Sequence, residues 1–208
     1  MSTTIQDRSV VHSFEPLAFN WSIFDGDLDA LKALREQAPL QWQKQLESDD
    51  YAALVTAAKK GHAQVVEWLL PLVPHNWATM NRPFVQAATY GQLGVLKLLG
   101  KHLEPNLLLK LVKSEDSLAF RSAAKHAHIP VLKWMKDCFP ADWMYMLQGG
   151  GRYDVFFACC EQGALDGLHW LKSTLSESTF KEMLQSQGSE ALHGAIMPLH
   201  FKTIKFSI

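Results

Sequence analysis

The chain has 208 residues, of which 48% are hydrophobic and 20% are charged, so it has the composition of a globular protein and not of a disordered tail. Lys and Arg total 20 and Asp and Glu total 21, and the formal net charge of −1 gives no bulk electrostatic reason to expect nucleic acid or an anionic membrane as partner. The three cysteines are too few for a disulfide framework, which favours a reducing compartment. The N-terminus lacks the apolar segment of a secretory signal, and no apolar stretch reaches the roughly 20 residues of a membrane span. We therefore expect a cytoplasmic protein.

A similar segment recurs along the chain at intervals of 30 to 37 residues. Its reference position holds a small residue in five of six copies, and in most copies a pair of small residues stands four and three positions before it. The best copies read Ala57-Ala-Lys-Lys-Gly61, Ala87-Ala-Thr-Tyr-Gly91 and Ala123-Ala-Lys-His-Ala127. We call the recurring positions repeat marks, and they are Gly26, Gly61, Gly91, Ala127, Gly163 and His200. The chain therefore predicts five repeats and part of a sixth, the last in a degraded copy. We divide it into an N-terminal extension, residues 1–15, and a repeat array, residues 16–208.

The residues around each repeat mark predict two helices separated by a tight turn. Seven residues before the marks stand Phe19, Leu54, Phe84, Phe120 and Phe156, and small residues stand three and four before them, all on one face of a helix. Apolar residues recur four, five, seven and eight positions after the marks, as in Val65, Val66, Trp68 and Leu69. Glycine at the mark suits the turn between the two helices. Each repeat is thus predicted to be a helical hairpin.

A proline and then an aromatic residue or leucine follow the second helix in four copies. Pro39, Pro74, Pro105 and Pro140 lie 13 or 14 residues past the marks, and Trp42, Trp77, Leu108 and Trp143 lie three residues further on. Because proline ends one helix and is welcome at the start of the next, the second helix is predicted to stop before it. Residues 142–148 and 178–184 have the pattern of short extra helices. The length of this segment varies between copies, as expected of connectors in a stack.

These segments resemble the Ala-Ala-x-x-Gly-His-x-x-Val-Val-x-x-Leu-Leu part of ankyrin repeats, most clearly at Ala57-Ala-Lys-Lys-Gly-His-Ala-Gln-Val-Val-Glu-Trp-Leu-Leu70. The resemblance implies an all-α, ankyrin-like solenoid of stacked helical hairpins. The Thr-Pro-Leu-His opening and the Asp-Gly hairpin tip of regular ankyrin repeats are absent, so the connectors are either hairpins or short helices. The divergent pattern is similar to ankyrin proteins of intracellular bacterial pathogens, protists and large viruses, which suggests a host-targeting effector acting in the host cytoplasm.

An array of this kind leaves a long face available for another macromolecule, so we expect a protein-protein interaction scaffold that binds a partner protein on its concave face. Ankyrin-like arrays commonly use the connector tips and the exposed flank of the first helix. That implies a partner-binding set of Lys59, Lys60, Gln86, Tyr90, Arg121, Lys125 and His126, of which Tyr90 and Arg121 have the residue types favoured at interface hot spots. The alternative is the targeting arm of a larger enzyme whose catalytic part lies beyond residue 208.

Residues that could carry enzymatic or metal chemistry have simpler structural interpretations. His62 and His128 directly follow repeat marks, where the ankyrin pattern uses histidine to tie the turn to a neighbouring unit. His126 and His128 share a His-x-His spacing, but no further ligand completes a zinc site. Cys159 and Cys160 occupy the columns of the paired alanines, which favours burial over nucleophilic catalysis. We therefore expect no catalytic residue, no metal and no cofactor.

A glycine run, Gly149-Gly-Gly-Arg152, falls in one of the variable connectors. A phosphate-binding loop would need Gly-x-x-x-x-Gly-Lys-Ser/Thr between a strand and a helix, and both the lysine and the strand pattern are missing. The run is therefore interpreted as a connector between two helices.

Overall fold

The structure is a computed structural model that describes residues 15–149 and 154–186. The described residues form twelve α-helices and two short 3-10 turns, and no strand occurs among them, so the prediction of an all-α chain is confirmed. The helices are α1 (Pro16–Asp25), α2 (Leu28–Gln37), α3 (Pro39–Lys60), α4 (Ala63–Leu69), α5 (Trp77–Thr89), α6 (Leu93–His102), α7 (Pro105–Lys125), α8 (Ile129–Cys138), α9 (Trp143–Gln148), α10 (Asp154–Gln162), α11 (Leu165–Thr174) and α12 (Glu177–Ser186). The 3-10 turns are Leu70–Leu72 and Pro140–Asp142.

Each of the first five repeat marks lies between two helices. The pairs are α1 and α2, α3 and α4, α5 and α6, α7 and α8, and α10 and α11, and we refer to the members of each pair as the first and the second helix of a unit. The two segments predicted as extra helices form α9 and α12. Pro39 and Pro105 open α3 and α7, as expected of proline at a helix start.

The repeat marks adopt the left-handed backbone that the predicted tight turn requires. Gly26, Gly61, Gly91 and Gly163 have φ between 67° and 81°, a region that glycine enters without steric cost. Ala127 takes the same conformation with φ 54°, although its Cβ disfavours it. The first helices of the second and third units therefore end in a cap of the αL type, whose backbone N–H groups satisfy carbonyls of the last turn.

The predicted columns of the first helices form the core. All five large residues seven positions before the marks are buried, and so are the paired small residues, Ala57, Ala58, Ala87, Ala88, Ala123, Ala124, Cys159 and Cys160. Small side chains allow the first helices to approach closely, and α1, α3, α5, α7 and α10 each pack on the next over much of their length. The second helices α4, α6, α8 and α11 also follow one another but contact each other less.

Two of the long first helices are interrupted by a left-handed turn that the sequence analysis did not predict. The backbone leaves the helix at Ser48, and Asp49, Asp50 and Tyr51 have φ of 50°, 53° and 61°. The same break occurs in α7 from Ser114 to Ser117. Both lie ten to thirteen residues before their repeat marks, and the shorter third unit has the uninterrupted helix α5 instead. The short connector of the third unit therefore corresponds to the loss of this turn.

Some predictions fall outside the described residues. These are the N-terminal extension up to residue 14, the part of the glycine run after Gly149, and the sixth repeat with its mark His200. Within the described residues, the first helix begins at Pro16. No helix among residues 15–149 and 154–186 combines the length and the apolar character needed to cross a bilayer.

Candidate interaction surface

The last turns of the first helices carry basic and aromatic side chains at one edge of the stack. Lys59 and Lys60 end α3, Tyr90 caps α5, Lys125 ends α7, and His126 caps α7. Cations are favoured there because the carboxyl end of a helix carries a partial negative charge. We call this set the tip row, and its members are Phe24, Lys59, Lys60, Tyr90, Lys125 and His126. Carboxylates occur near its two ends, at Asp25 and Glu161.

Contacts between neighbouring units hold several tip-row side chains in place. The Nζ atom of Lys60 lies 3.7 Å from the ring centroid of Phe24 in the preceding unit. The Nζ atom of Lys59 lies 4.7 Å from the ring centroid of Tyr90 in the following unit. Both distances are within the range of cation–π attraction. The row is therefore partly preordered, which lowers the entropy that a partner must remove on binding.

The structure places some of the predicted partner-binding residues on the exposed surface and others in half-buried positions. Lys60, Tyr90 and His126 are exposed, and Tyr90 has 47% of its surface open to solvent. Lys59, Gln86 and Lys125 are half-buried between neighbouring first helices. Lys125 also forms an ion pair of 3.2 Å with Glu161 of the next unit. Phe24 completes the row, and the sequence analysis missed it because its unit lacks the paired alanines.

Arg121 differs from the expectation that it lies on an exposed flank. Its Nη1 donates a hydrogen bond of 3.1 Å to Oδ2 of Asp154 in the next unit, and its Nη2 donates to the carbonyl oxygen of Glu115 at 3.2 Å. The arginine side chain is only 27% exposed. Arg121 therefore ties the left-handed turn of its own unit to the following first helix, and it does not belong to the tip row.

Acidic side chains lie in the left-handed turns that interrupt α3 and α7. Asp49 and Asp50 in one left-handed turn, and Glu115 and Asp116 in the other, are exposed. About ten helical residues separate these turns from the tip row, which corresponds to roughly 15 Å. The formal charge of −1 thus conceals an uneven distribution of charge. Each left-handed turn carries two exposed carboxylates beside one arginine, since Arg82 Nη1 donates to the carbonyl oxygen of Asp49 and Arg121 Nη2 to that of Glu115, whereas the tip row is mainly basic. The repeated Ser-acidic-Asp sequence, at Ser48 and Ser114, is the signal that predicts these turns.

Histidines that follow repeat marks have the structural role predicted for them. The Nε2 atom of His62 lies 2.8 Å from the carbonyl oxygen of Phe24, and that of His128 lies 2.9 Å from the carbonyl oxygen of Thr89. In both cases the acceptor belongs to the last turn of the first helix of the preceding unit. These histidines therefore connect neighbouring units beneath the tip row.

The adjacent cysteines pack in the core, as predicted from their columns. Cys159 is fully buried and donates a weak hydrogen bond of 3.4 Å from Sγ to the carbonyl oxygen of Ala124. Burial raises the pKa of Cys159 to about 12 and that of Cys160 to about 11. Thiolate is the nucleophilic form of cysteine, so these thiols are poorly suited to catalysis at neutral pH. The exposed Cys138 also has a raised pKa, because of partial burial and the nearby Asp137.

Within residues 15–149 and 154–186, no group of three His, Cys, Asp or Glu side chains is arranged to hold a metal ion. Comparison of the chain with models of protein families, with curated proteins and with solved structures gave no match.

Proposed function

We propose that this chain is an ankyrin-like scaffold that binds a partner protein through the row of first helices, with the tip row at the edge of the contact surface. The observation that carries this proposal is the tip row itself. It presents exposed lysine, tyrosine and histidine side chains from successive units along one edge, and contacts between units hold part of it in position.

The packing of the units supports both the ankyrin-like architecture and the choice of face. The first helices of neighbouring units pack through small side chains, and the second helices are less closely packed. A stack in which one row of helices is more tightly spaced curves toward that row. The first helices therefore form the concave side in this proposal, which is the side that repeat arrays offer to their partners.

The chemistry of the tip row favours an acidic protein segment as partner. Lys59 and Lys60 supply positive charge, while Phe24 and Tyr90 supply aromatic surface of the kind enriched in protein interfaces. The acidic turns at the opposite edge would repel a polyanion that extended across the concave side. This combination suits a partner with a local acidic patch better than a long nucleic acid.

The test is quantitative affinity capture from lysate of the native source, with three forms of the full chain. The first is the unaltered chain, and the second is a tip-row variant, Lys59→Ser, Lys60→Ser and Tyr90→Ser. The third is a control variant, Lys97→Ser, Lys101→Ser and Tyr145→Ser, which removes the same side chains from exposed or partly exposed positions elsewhere. Circular dichroism establishes that the variants remain folded.

We expect a protein to be enriched by the unaltered chain and by the control variant but not by the tip-row variant. Loss of the same protein from both variants, or retention by both, would contradict the assignment of the tip row.

A further inference from the structure

A cavity opens on the side of the stack away from the tip row, at the junction of the first and second units. It has a volume of about 400 Å³ and is lined by Lys32, Arg35, Glu36, Pro39 and Trp68. We call it the Arg35 cavity. Lys32, Arg35 and Glu36 come from α2, Pro39 opens α3, and Trp68 comes from α4. Its lining contains two cations and one carboxylate, and the Nζ atom of Lys32 also lies 3.8 Å from Oδ1 of Asp29, so Arg35 is the cation of the lining that has no carboxylate paired with it among the residues described.

Two tryptophan rings hold the guanidinium group of Arg35. Its Cζ atom lies 5.4 Å from the ring centroid of Trp42 and 5.7 Å from that of Trp68. The two rings pack edge to face with their centroids 5.3 Å apart, and Trp42 is fully buried. Stacking of this kind restricts the rotamers of the arginine and prepositions its planar fork of N–H donors.

The donors of this guanidinium have no acceptor in the described part of the chain. Arg35 forms neither an ion pair nor a hydrogen bond with residues 15–149 or 154–186, and Glu36 next to it is also unpaired there. By contrast, Arg121 uses two of its nitrogen atoms on Asp154 and Glu115. Arg35 is therefore a positioned cation that lines the cavity, and its guanidinium N–H donors are available to a ligand.

The repeat provides an internal comparison for this arrangement. Arg35 stands nine residues after Gly26, and Lys136 stands nine residues after Ala127. Lys136 also lies over a tryptophan, with Nζ 5.3 Å from the ring centroid of Trp143, and Trp143 packs edge to face on Trp170 at 5.6 Å. A cation above a tryptophan that packs on a second tryptophan thus occurs in two of the described units, but only Arg35 lies over both rings and only Arg35 has the bidentate fork of an arginine.

The third unit has glycine at this position, and the space is filled. A Cβ atom on Gly100 would lie 3.0 Å from Cζ2 of Trp134, the tryptophan that corresponds to Trp68. The tryptophan of the next unit therefore occupies the place that a longer side chain holds in the first unit. The Arg35 cavity depends on an arginine at this position and does not follow from the fold alone.

We propose that the Arg35 cavity binds a carboxylate presented by an acidic peptide segment of a partner protein. The guanidinium fork matches a carboxylate in a bidentate geometry. Lys32 is a nearby cation whose charge is partly balanced by Asp29, so its contribution is smaller than that of Arg35. Trp68 and Pro39 provide apolar walls for the stem of the side chain. A monoanionic carboxylate suits the single unpaired guanidinium, whereas Glu36 and Asp29 oppose a dianionic phosphate. The inference rests on the proposed function insofar as the occupant is a partner protein, but the cavity can be tested by itself.

The experiment uses the full chain and three capped pentapeptides, acetyl-Ala-Leu-X-Leu-Ala-amide, in which X is glutamate, glutamine or phosphoserine. Binding is followed through the indole N–H resonance of Trp68 in two-dimensional NMR spectra, assigned with Trp68→Phe. Arg35→Lys keeps the charge and removes the fork, and Lys32→Gln removes only an exposed cation. Lys136→Gln is the matched control, because it alters the equivalent cation in the fourth unit.

We expect the glutamate peptide to give a saturable shift of the Trp68 resonance that the glutamine peptide does not give. Arg35→Lys is expected to weaken binding about tenfold and Lys32→Gln by a smaller factor, while Lys136→Gln leaves it unchanged. No saturable shift, equal shifts from glutamate and glutamine, or preference for phosphoserine would overturn the proposal. If the glutamate peptide does not bind the Arg35 cavity but the tip-row capture succeeds, this inference fails and the proposed function stands. If the peptide binds but the tip-row capture fails, the cavity inference stands and the proposed function fails. Should Arg35→Lys disturb folding, the comparison of the glutamate and glutamine peptides on the unaltered chain still decides whether the cavity binds a carboxylate.

Discussion

The imidazole Nε2 of His128 lies 2.9 Å from the carbonyl oxygen of Thr89, which belongs to the last turn of the preceding first helix. His62 forms the same contact with Phe24 at 2.8 Å, and Gln92 Nε2 donates to the carbonyl oxygen of Lys59 at 3.1 Å. Carbonyls in the last turn of a helix lack helical partners, so a donor from the next unit satisfies them. The residue directly after the repeat mark therefore connects neighbouring units in three successive pairs.

Replacing His128 by alanine is expected to destabilise the array. The change removes one hydrogen bond between units and leaves the Thr89 carbonyl without its donor, which costs about 1–2 kcal/mol of unfolding free energy. Urea denaturation followed by circular dichroism measures the loss. The control is His126→Ala, which removes an exposed ring two residues away and is expected to change stability by less than about 0.5 kcal/mol. Equal effects of the two substitutions would contradict the role given to His128.

Gly91→Ala and Ala127→Gly are expected to change the free energy of unfolding in opposite directions. In Gly91→Ala, the new Cβ would lie 2.6 Å from Nδ1 of His128 and would sit on a backbone with φ 71°. We expect a loss of about 2–3 kcal/mol, from the left-handed conformation and the displaced hydrogen bond together. Thermal and urea unfolding measure the loss, and an effect below about 0.5 kcal/mol would contradict the packing described.

At Ala127 the expected sign is reversed. This alanine already has φ 54°, and the residue after the next repeat mark is Ala164, which has no long side chain to cover it. Ala127→Gly relieves the strained conformation and is expected to raise the unfolding free energy by about 0.5–1 kcal/mol. The same unfolding experiments test it, and destabilisation would show that the Ala127 methyl group contributes packing that outweighs the strain.

Most of the fold was predictable because its signals are periodic. The paired alanines, the large residue seven positions before each mark and the apolar positions after it recur in register, and the helical pairs follow from them. The left-handed turns at 48–51 and 114–117 were missed because the residues on both sides of each turn have a helix-forming composition and no glycine or proline marks the break. A search for the repeated Ser-acidic-Asp sequence would have revealed them.

The candidate surface was predictable only in part. Lys60, Tyr90 and His126 lie exposed as expected, because they stand in the last turn of helices whose buried face was known. Arg121 was assigned to the same flank, but it stands four residues before Lys125, one turn further from the end of α7, and there its guanidinium group meets Asp154 of the next unit. The Arg35 cavity is lined by side chains from three helices of two units, α2, α3 and α4, so no single segment of the sequence indicates it.

Arg121 is expected to affect stability and not partner binding through the tip row. Arg121→Met removes the hydrogen bonds to Asp154 and to the Glu115 carbonyl from a half-buried site, which costs about 1–2 kcal/mol. A double-mutant cycle with Asp154→Asn gives a coupling energy of about 1 kcal/mol if the ion pair exists in solution. Additive effects of the two substitutions would indicate that the contact is absent.

The thiols are expected to differ in reactivity in the folded chain. Cys138 is exposed and reacts first with a neutral disulfide reagent at pH 8, while Cys159 and Cys160 react only as the chain unfolds. Their folded pKa values of about 12 and about 11 exceed the ordinary value of 9.0. The unfolded chain therefore releases protons first, and stability falls as the pH rises from about 9 toward these values.

Cys159→Ala with Cys160→Ala keeps small side chains in both columns and removes this source of alkaline sensitivity. Urea titrations at successive pH values compare the variant with the unaltered chain. Rapid labelling of all three native thiols, or an identical pH dependence in the variant, would show that the two cysteines are not buried as described.

The most direct test of the proposed function is site-specific photo-crosslinking in the native source. A benzophenone amino acid is placed at Tyr90 or His126 in the tip row, and at Lys97 or Lys101 on the second helix of the third unit. The account predicts crosslinks to the same partner protein from Tyr90 and His126 and none from the two lysine positions. Crosslinks to that partner only from Lys97 and Lys101 would contradict it.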